Sequence, residues 1–136
     1  MDSRSESDTV AAGRELGRTL TPGTTVLLYG ELGAGKTAFV RGLAEGLGLD
    51  PDQVSSPTFT LVQEYRRDTV TLQHVDLYRL NPAEVTDIAL EDLAGANTII
   101  AIEWAERLPR LPTPPLIQVH LEHVPEGRRI TLAQSA

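Results

Sequence analysis

Cysteine is absent from the 136 residues. Its absence excludes disulfides and thiolate zinc sites and fits a reducing compartment. Positive charge is scarce: 12 Lys and Arg against 19 Asp and Glu leave a formal net charge of −7. A protein that grips nucleic acid by its phosphates needs a basic face, so RNA or DNA binding is disfavoured as the main activity. No apolar run approaches the ~20 residues that span a bilayer. The opening MDSRSESDTV is polar and acidic, unlike a signal peptide, and a cytoplasmic protein is expected. There is no internal repeat and no low-complexity segment. The three histidines, His74, His120 and His123, lack zinc-site spacing with carboxylates. What remains is ordinary for one globular domain over residues 1–136: 40% hydrophobic and 23% charged residues.

Along the chain, SESDTVAAGRELGRTL reads as a helix with Val10, Leu16 and Leu20 near one face. Gly13 and Gly17 thin it, and Ser5 or Ser7 caps its start. TPG, residues 21–23, is a turn. TTVLLY is β-branched and apolar without alternation, the pattern of a strand covered on both faces of a parallel sheet. Phe39, Val40, Leu43, Ala44 and Leu47 follow at helical spacing, with Gly48 where a C-terminal cap belongs. Gly42 and Gly46 share one face of this helix, the expected place of close approach to the sheet. SSPTFTLVQEY reads as a loop and a strand, and TVTLQHVDLYRL as an alternating strand. NPAEV reads as a helix start with Asn81 as cap and Pro82 in the first turn. NTIIAIEW is a further strand. LIQVHLEH and RRITLAQ are two late strands joined by VPEG. The expected class is α/β: a P-loop NTPase-like three-layer fold with a mostly parallel central sheet and antiparallel additions.

Between the TTVLLY strand and the next helix stands GELGAGKT, residues 30–37. It fits G-x-x-x-x-G-K-S/T in the strand–loop–helix context that the motif requires. Without Cβ atoms the glycines let the backbone wrap closely round a phosphate. Successive N–H groups then form an anion nest, and the helix start adds its positive dipole end. Lys36 has the reach for the β- and γ-phosphates, and the Thr37 hydroxyl is an oxygen ligand for Mg²⁺. The reading is a nucleoside triphosphate cradle.

Such a cradle needs a carboxylate for the metal at the end of a neighbouring strand. Glu103 ends Ile99-Ile100-Ala101-Ile102, and Asp76 ends the alternating strand from Val70. Glu103 is favoured for the metal because its strand reads as the more central. Asp76 then orients a water or binds the metal through water. In SSPT, Thr58 or a neighbouring serine is a candidate γ-phosphate sensor, with a plain proline turn as the alternative. His74 reads as a packed or strand-surface residue rather than a ligand. Trp104 is core or a platform beside the site. Arg128 and Arg129 read as hairpin surface charge. Arg79 and Arg107 are candidate arginine fingers.

GELGAGKTAFVRGLAEGLG, SPTFTLVQEY, HVDLYRL and IEWAERLP, in this order and spacing, closely resemble the bacterial TsaE (YjeE) family over nearly the whole chain, from about Glu6 onward. The resemblance implies a small P-loop ATPase with ATP and Mg²⁺. It implies a role in threonylcarbamoylation of adenosine 37 in tRNAs that read codons beginning with A. The partners implied are TsaD and TsaB, whose repeated turnover ATP hydrolysis supports, with tRNA met only indirectly. By the same resemblance Gly33, Ala34, Gly35, Lys36, Thr37 and Ala38 hold the phosphates, and Thr37 and Glu103 ligate Mg²⁺. Asp76 assists catalysis, Thr58 sits in a switch region and Trp104 is functional. Glu6 and Arg129 align with nucleotide contacts. A small-molecule kinase is the alternative, but little length remains for an arginine-bearing lid. A GTP switch lacks its N-K-x-D motif, since no Asn precedes a Lys. Direct tRNA binding is disfavoured by the acidic balance.

Overall fold

Thr25-Val26-Leu27-Leu28-Tyr29 forms β2 (Thr25–Tyr29). Val26 and Leu28 point into one apolar cluster and Leu27 into the other, so neither face has room for a polar residue. A computed structural model describes residues 2–3, 5–31, 35–54, 62–78, 80, 83–84, 93, 95–112 and 115–135. Within them the remaining strands are β1 (Asp2–Ser3), β3 (Val62–Arg67), β4 (Val70–Asp76), β5 (Thr98–Glu103), β6 (Leu116–Val124) and β7 (Gly127–Ser135). They make one sheet of order β1-β7-β6-β2-β5-β4-β3. The middle four, β6, β2, β5 and β4, run parallel, and β7 and β3 add antiparallel edges. β1 is a two-residue strand that sets Asp2 opposite Arg129 and Ser3 opposite Arg128. Two polar residues carry no periodicity, so nothing in the sequence announces it.

The helices are α1 (Glu6–Thr19) and α2 (Lys36–Gly46). Of the two expected caps, Ser5 serves: its Oγ accepts from the Asp8 N–H at 3.2 Å. α2 closes as expected at Gly48, which takes φ +85°. The Gly48 N–H donates to Glu45 at 3.0 Å and the Leu49 N–H to Ala44 at 2.8 Å, so the carbonyls of the last turn are satisfied.

Gly42 and Gly46 face α1 rather than the sheet, which corrects their expected role. A Cβ on Gly42 would stand 2.0 Å from the Val10 carbonyl oxygen, and one on Gly46 2.4 Å from that of Arg14. Reciprocally, a Cβ on Gly13 would stand 2.2 Å from the Phe39 oxygen, and one on Gly17 2.6 Å from that of Leu43. The helices therefore meet backbone to backbone, glycine pair against glycine pair. Ion pairs Arg14–Glu45 and Arg41–Glu6, each at 2.9 Å, flank the seam. This close approach holds the start of α2 in a set relation to the start of α1.

α1 and α2 cover one face of the sheet, where Phe39, Val40 and Leu43 pack on Val26, Leu28, Ala101 and Val119. On the other face Leu27, Ile100, Ile102 and Val75 are covered by Leu77, Leu80, Leu93, Trp104, Ala105 and Leu108. A sheet with both faces packed and a parallel centre is the expected three-layer α/β arrangement. Ala83 and Glu84 are helical, while the rest of the expected NPAEV helix, with Asn81 and Pro82, lies outside the described residues.

Candidate functional site

The parallel pairing of β2, β5 and β4 brings their carboxyl ends together. Leu28 stands opposite Glu103, and Glu103 opposite Asp76. β5 is therefore the immediate neighbour of the strand that feeds the glycine loop, and β4 lies one strand further out. That order agrees with the reading of the Glu103 strand as the more central.

Gly35 begins α2 in the left-handed region, at φ +99°, and brings no side chain of its own to cap the helix. In α1 a serine hydroxyl takes an N–H of the first turn; in α2 Gly35 has no side chain to do so, and the N–H groups of a helix start suit an anion. A Cβ at Gly35 would meet the Thr9 methyl at 3.4 Å and Leu121 at 3.8 Å, so Gly35 lies beside α1 and β6. Glu6, paired with Arg41, lies one turn before Thr9 on α1. Arg129 follows Arg128 on β7 and precedes Ile130, the partner of Leu121. The two expected nucleotide contacts thus stand on the elements that flank Gly35.

Lys36 is only 5% exposed. Its ammonium donates to the Gly30 carbonyl and, at 3.4 Å, to that of Glu31, and lies 3.5 Å from the centre of the Trp104 ring. Burial pushes this ammonium below the ordinary lysine range, while Glu106, Glu103 and Asp76 pull it back up. Trp104 takes φ +61°, which is uncommon for a bulky residue. The turn swings the chain from β5 into the 3-10 turn Ala105–Arg107 and lays the indole beneath Lys36. Trp104 is thus both core and platform: it packs on the second cluster while its ring meets Lys36 and, at 4.8 Å between centroids, Tyr78. The Arg107 guanidinium lies 6.0 Å from the Trp104 ring and donates to Leu80 O at 3.1 Å.

The Thr37 hydroxyl stands 3.2 and 3.1 Å from the two oxygens of Glu103, whose residue is 3% exposed. Asp76 is nearly buried and accepts from the Tyr78 N–H at 2.9 Å. Ala38 is buried in the first turn of α2. Gly33, Ala34, Thr58 and Arg79 lie outside the described residues.

His74 is packed as expected, but its neighbour was not foreseen. The ring is fully buried, with Nε2 2.5 Å from Glu103 Oε2 and Nδ1 3.3 Å from the Tyr65 hydroxyl. Alternation along β4 put His74 on the same side as Asp76, and this was the one available signal. The distance to Glu103 arises only from strand pairing.

The arrangement fits Mg²⁺ and a polyphosphate. Its donors are a hydroxyl and carboxylates, the oxygen set that Mg²⁺ takes. Among the described residues no three His, Asp or Glu side chains gather into a complete metal cage. An ion held there needs further oxygens, which phosphates supply.

The family model for TsaE, threonylcarbamoyl adenosine biosynthesis protein, matches residues 3–130. The chain is 44% identical over 128 residues to the tRNA threonylcarbamoyladenosine biosynthesis protein TsaE of Nostoc, covering 91% of this chain and 78% of that one. It is 41% identical over 133 residues to the protein of that name from Treponema pallidum, covering 96% and 97%. The crystal structure of Bacillus subtilis YdiB superposes with a TM-score of 0.75 at 28% identity, covering 98% of this chain and 83% of that one. With its glycine loop, its paired strand-end acids and this match over most of its length, the chain belongs to the TsaE family.

Proposed function

We propose that this protein binds ATP with Mg²⁺ at the turn 30–37 and hydrolyses it in support of tRNA threonylcarbamoylation at adenosine 37. It acts with a TsaD–TsaB complex and meets tRNA only through that complex. The observation that carries the reading is the convergence of Lys36, Thr37 and Glu103 at the start of α2. Lys36 supplies the positive charge for the outer phosphates and exchanges carbonyl partners for phosphate oxygens. Thr37 and Glu103 supply two oxygen ligands from adjoining elements. Mg²⁺ bound there offsets charge on the phosphate oxygens. Asp76, beside Glu103, is placed to hold a proton of the attacking water. Trp104 lies beneath Lys36 and keeps water from that side of its ammonium. Arg107, beside the Trp104 ring, is the described candidate for an arginine finger.

Calorimetry of ATP binding with Mg²⁺ tests the site. Lys36→Ala removes a charged donor to phosphate, worth ~1.5–3 kcal/mol, so affinity falls roughly 10–100-fold. Glu103→Ala chiefly abolishes magnesium dependence and turnover. If both variants match the parent, the site reading is wrong. Turnover measured with and without TsaD–TsaB tests the partner role, and equal rates would refute activation by that complex.

A further inference from the structure

Glu103 is a carboxylate with almost no access to water, so its orientation must come from protein groups. Thr37 is one partner, but its hydroxyl stands almost equally far from both oxygens, at 3.2 and 3.1 Å, and does not select between them. His74 does select: its Nε2 meets Oε2 alone among the distances the structure gives. An ionised carboxylate only accepts hydrogen bonds, so Nε2 carries the proton. The ring is itself held from behind. Tyr65, on the antiparallel edge strand β3, donates its hydroxyl proton to Gln63 and has the same oxygen 3.3 Å from Nδ1, where it stands as an acceptor. β3 and β4 pair so that Gln63 stands opposite His74. A chain of polar groups, buried at Tyr65, His74 and Glu103, thus runs from Gln63 on the sheet edge to Thr37.

We infer that His74, braced by Tyr65, is a positioning residue for the metal-binding carboxylate. This rests on the reading of Thr37 and Glu103 as Mg²⁺ ligands. By tying down Oε2, His74 leaves Oε1 as the oxygen free for the metal, and it limits the freedom that the carboxylate would otherwise lose on binding. Partners of this kind typically tune metal affinity 10–100-fold. His74 touches neither nucleotide nor metal, so its effect should appear in metal affinity and not in metal-free nucleotide binding.

The test uses the full chain with a non-hydrolysable ATP analogue and Mn²⁺ as the probe, read by the electron spin resonance of free and bound Mn²⁺. His74→Leu deletes the donor and fills the space. We expect Mn²⁺ affinity to fall about 10–100-fold, with analogue binding without metal within about twofold of the parent. His74→Gln places an amide N–H near Nε2 and restores most of the affinity. Tyr65→Phe removes one oxygen, leaves the packing and weakens Mn²⁺ severalfold; it carries the test if His74→Leu does not fold. Unchanged Mn²⁺ affinity in His74→Leu and Tyr65→Phe overturns the inference. So does an equal loss in metal-free binding, or a His74→Gln variant no better than His74→Leu. Glu103→Ala separates this failure from that of the metal site: if it too leaves Mn²⁺ affinity unchanged, the ligand assignment itself has failed.

Discussion

Replacing Gly42 by alanine tests the seam that holds the candidate phosphate-binding end of α2. On an exposed helix the change would stabilise by ~1 kcal/mol, because glycine is the poorer helix former. Here the new methyl would lie 2.0 Å from the Val10 carbonyl oxygen and 2.8 Å from the Arg14 nitrogen, both backbone atoms. Real Cβ contacts stay beyond 3.0 Å, so α1 and α2 must part by about 1 Å. A gap of that size forfeits roughly a quarter to a half of each dispersion contact along the seam. Overpacking costs ~1–3 kcal/mol, and the upper end applies because no side chain can swing aside. After the gain in helix propensity, the net loss is about 2 kcal/mol. For a domain of this length that lowers the melting temperature by roughly 6–8 °C. Urea unfolding followed through Trp104, the single tryptophan, and by far-ultraviolet dichroism should show the midpoint moving down by about 1 M with unchanged slope. Glu45→Ala, which removes only the partly exposed partner of Arg14, should cost no more than ~1 kcal/mol. A Gly42→Ala protein as stable as its parent, or more so, would refute the close approach.

Ser5→Ala should cost ~1 kcal/mol through loss of the α1 cap, whereas Ser5→Gly should cost only a few tenths; equal losses in thermal melts would deny the cap a role. Burial lowers the Lys36 pKa, so between that lowered value and the ordinary value near ~10.4 the folded chain binds fewer protons than the unfolded one. The penalty for burying the charged amine is full below this window, and stability rises with pH through it. A bound polyanion favours the ammonium, so ATP binding in the window should take up protons and strengthen as pH falls. Calorimetry in two alkaline buffers of different ionisation enthalpy measures this, and the same uptake in Lys36→Ala would contradict it. Because the Lys36 ammonium rests on the Trp104 ring, ATP should change Trp104 emission by drawing it off; an unaltered spectrum at saturation would mean that the ammonium stays.

Local chemistry made several elements legible in the sequence. The apolar run of β2, the cap of α1, the glycine at the end of α2 and the spacing of residues 30–37 each act within a few residues of one another. Glu103 and Asp76 were readable as strand ends for the same reason, and Glu103 ranked higher because its strand read as the more central. Gly42 and Gly46 showed that something approaches closely, but a missing Cβ carries no record of the neighbour. Only the packed structure names α1. His74 could be recognised as packed, but its bond to Glu103 depends on strand register between segments 29 residues apart. Trp104 stayed undecided between core and platform until a left-handed turn laid it beneath Lys36. Sequence alone determines the groups that act through their own backbone neighbourhood. Pairings across the sheet and between the helices are decided by tertiary structure, because they arise from which buried surfaces fit together.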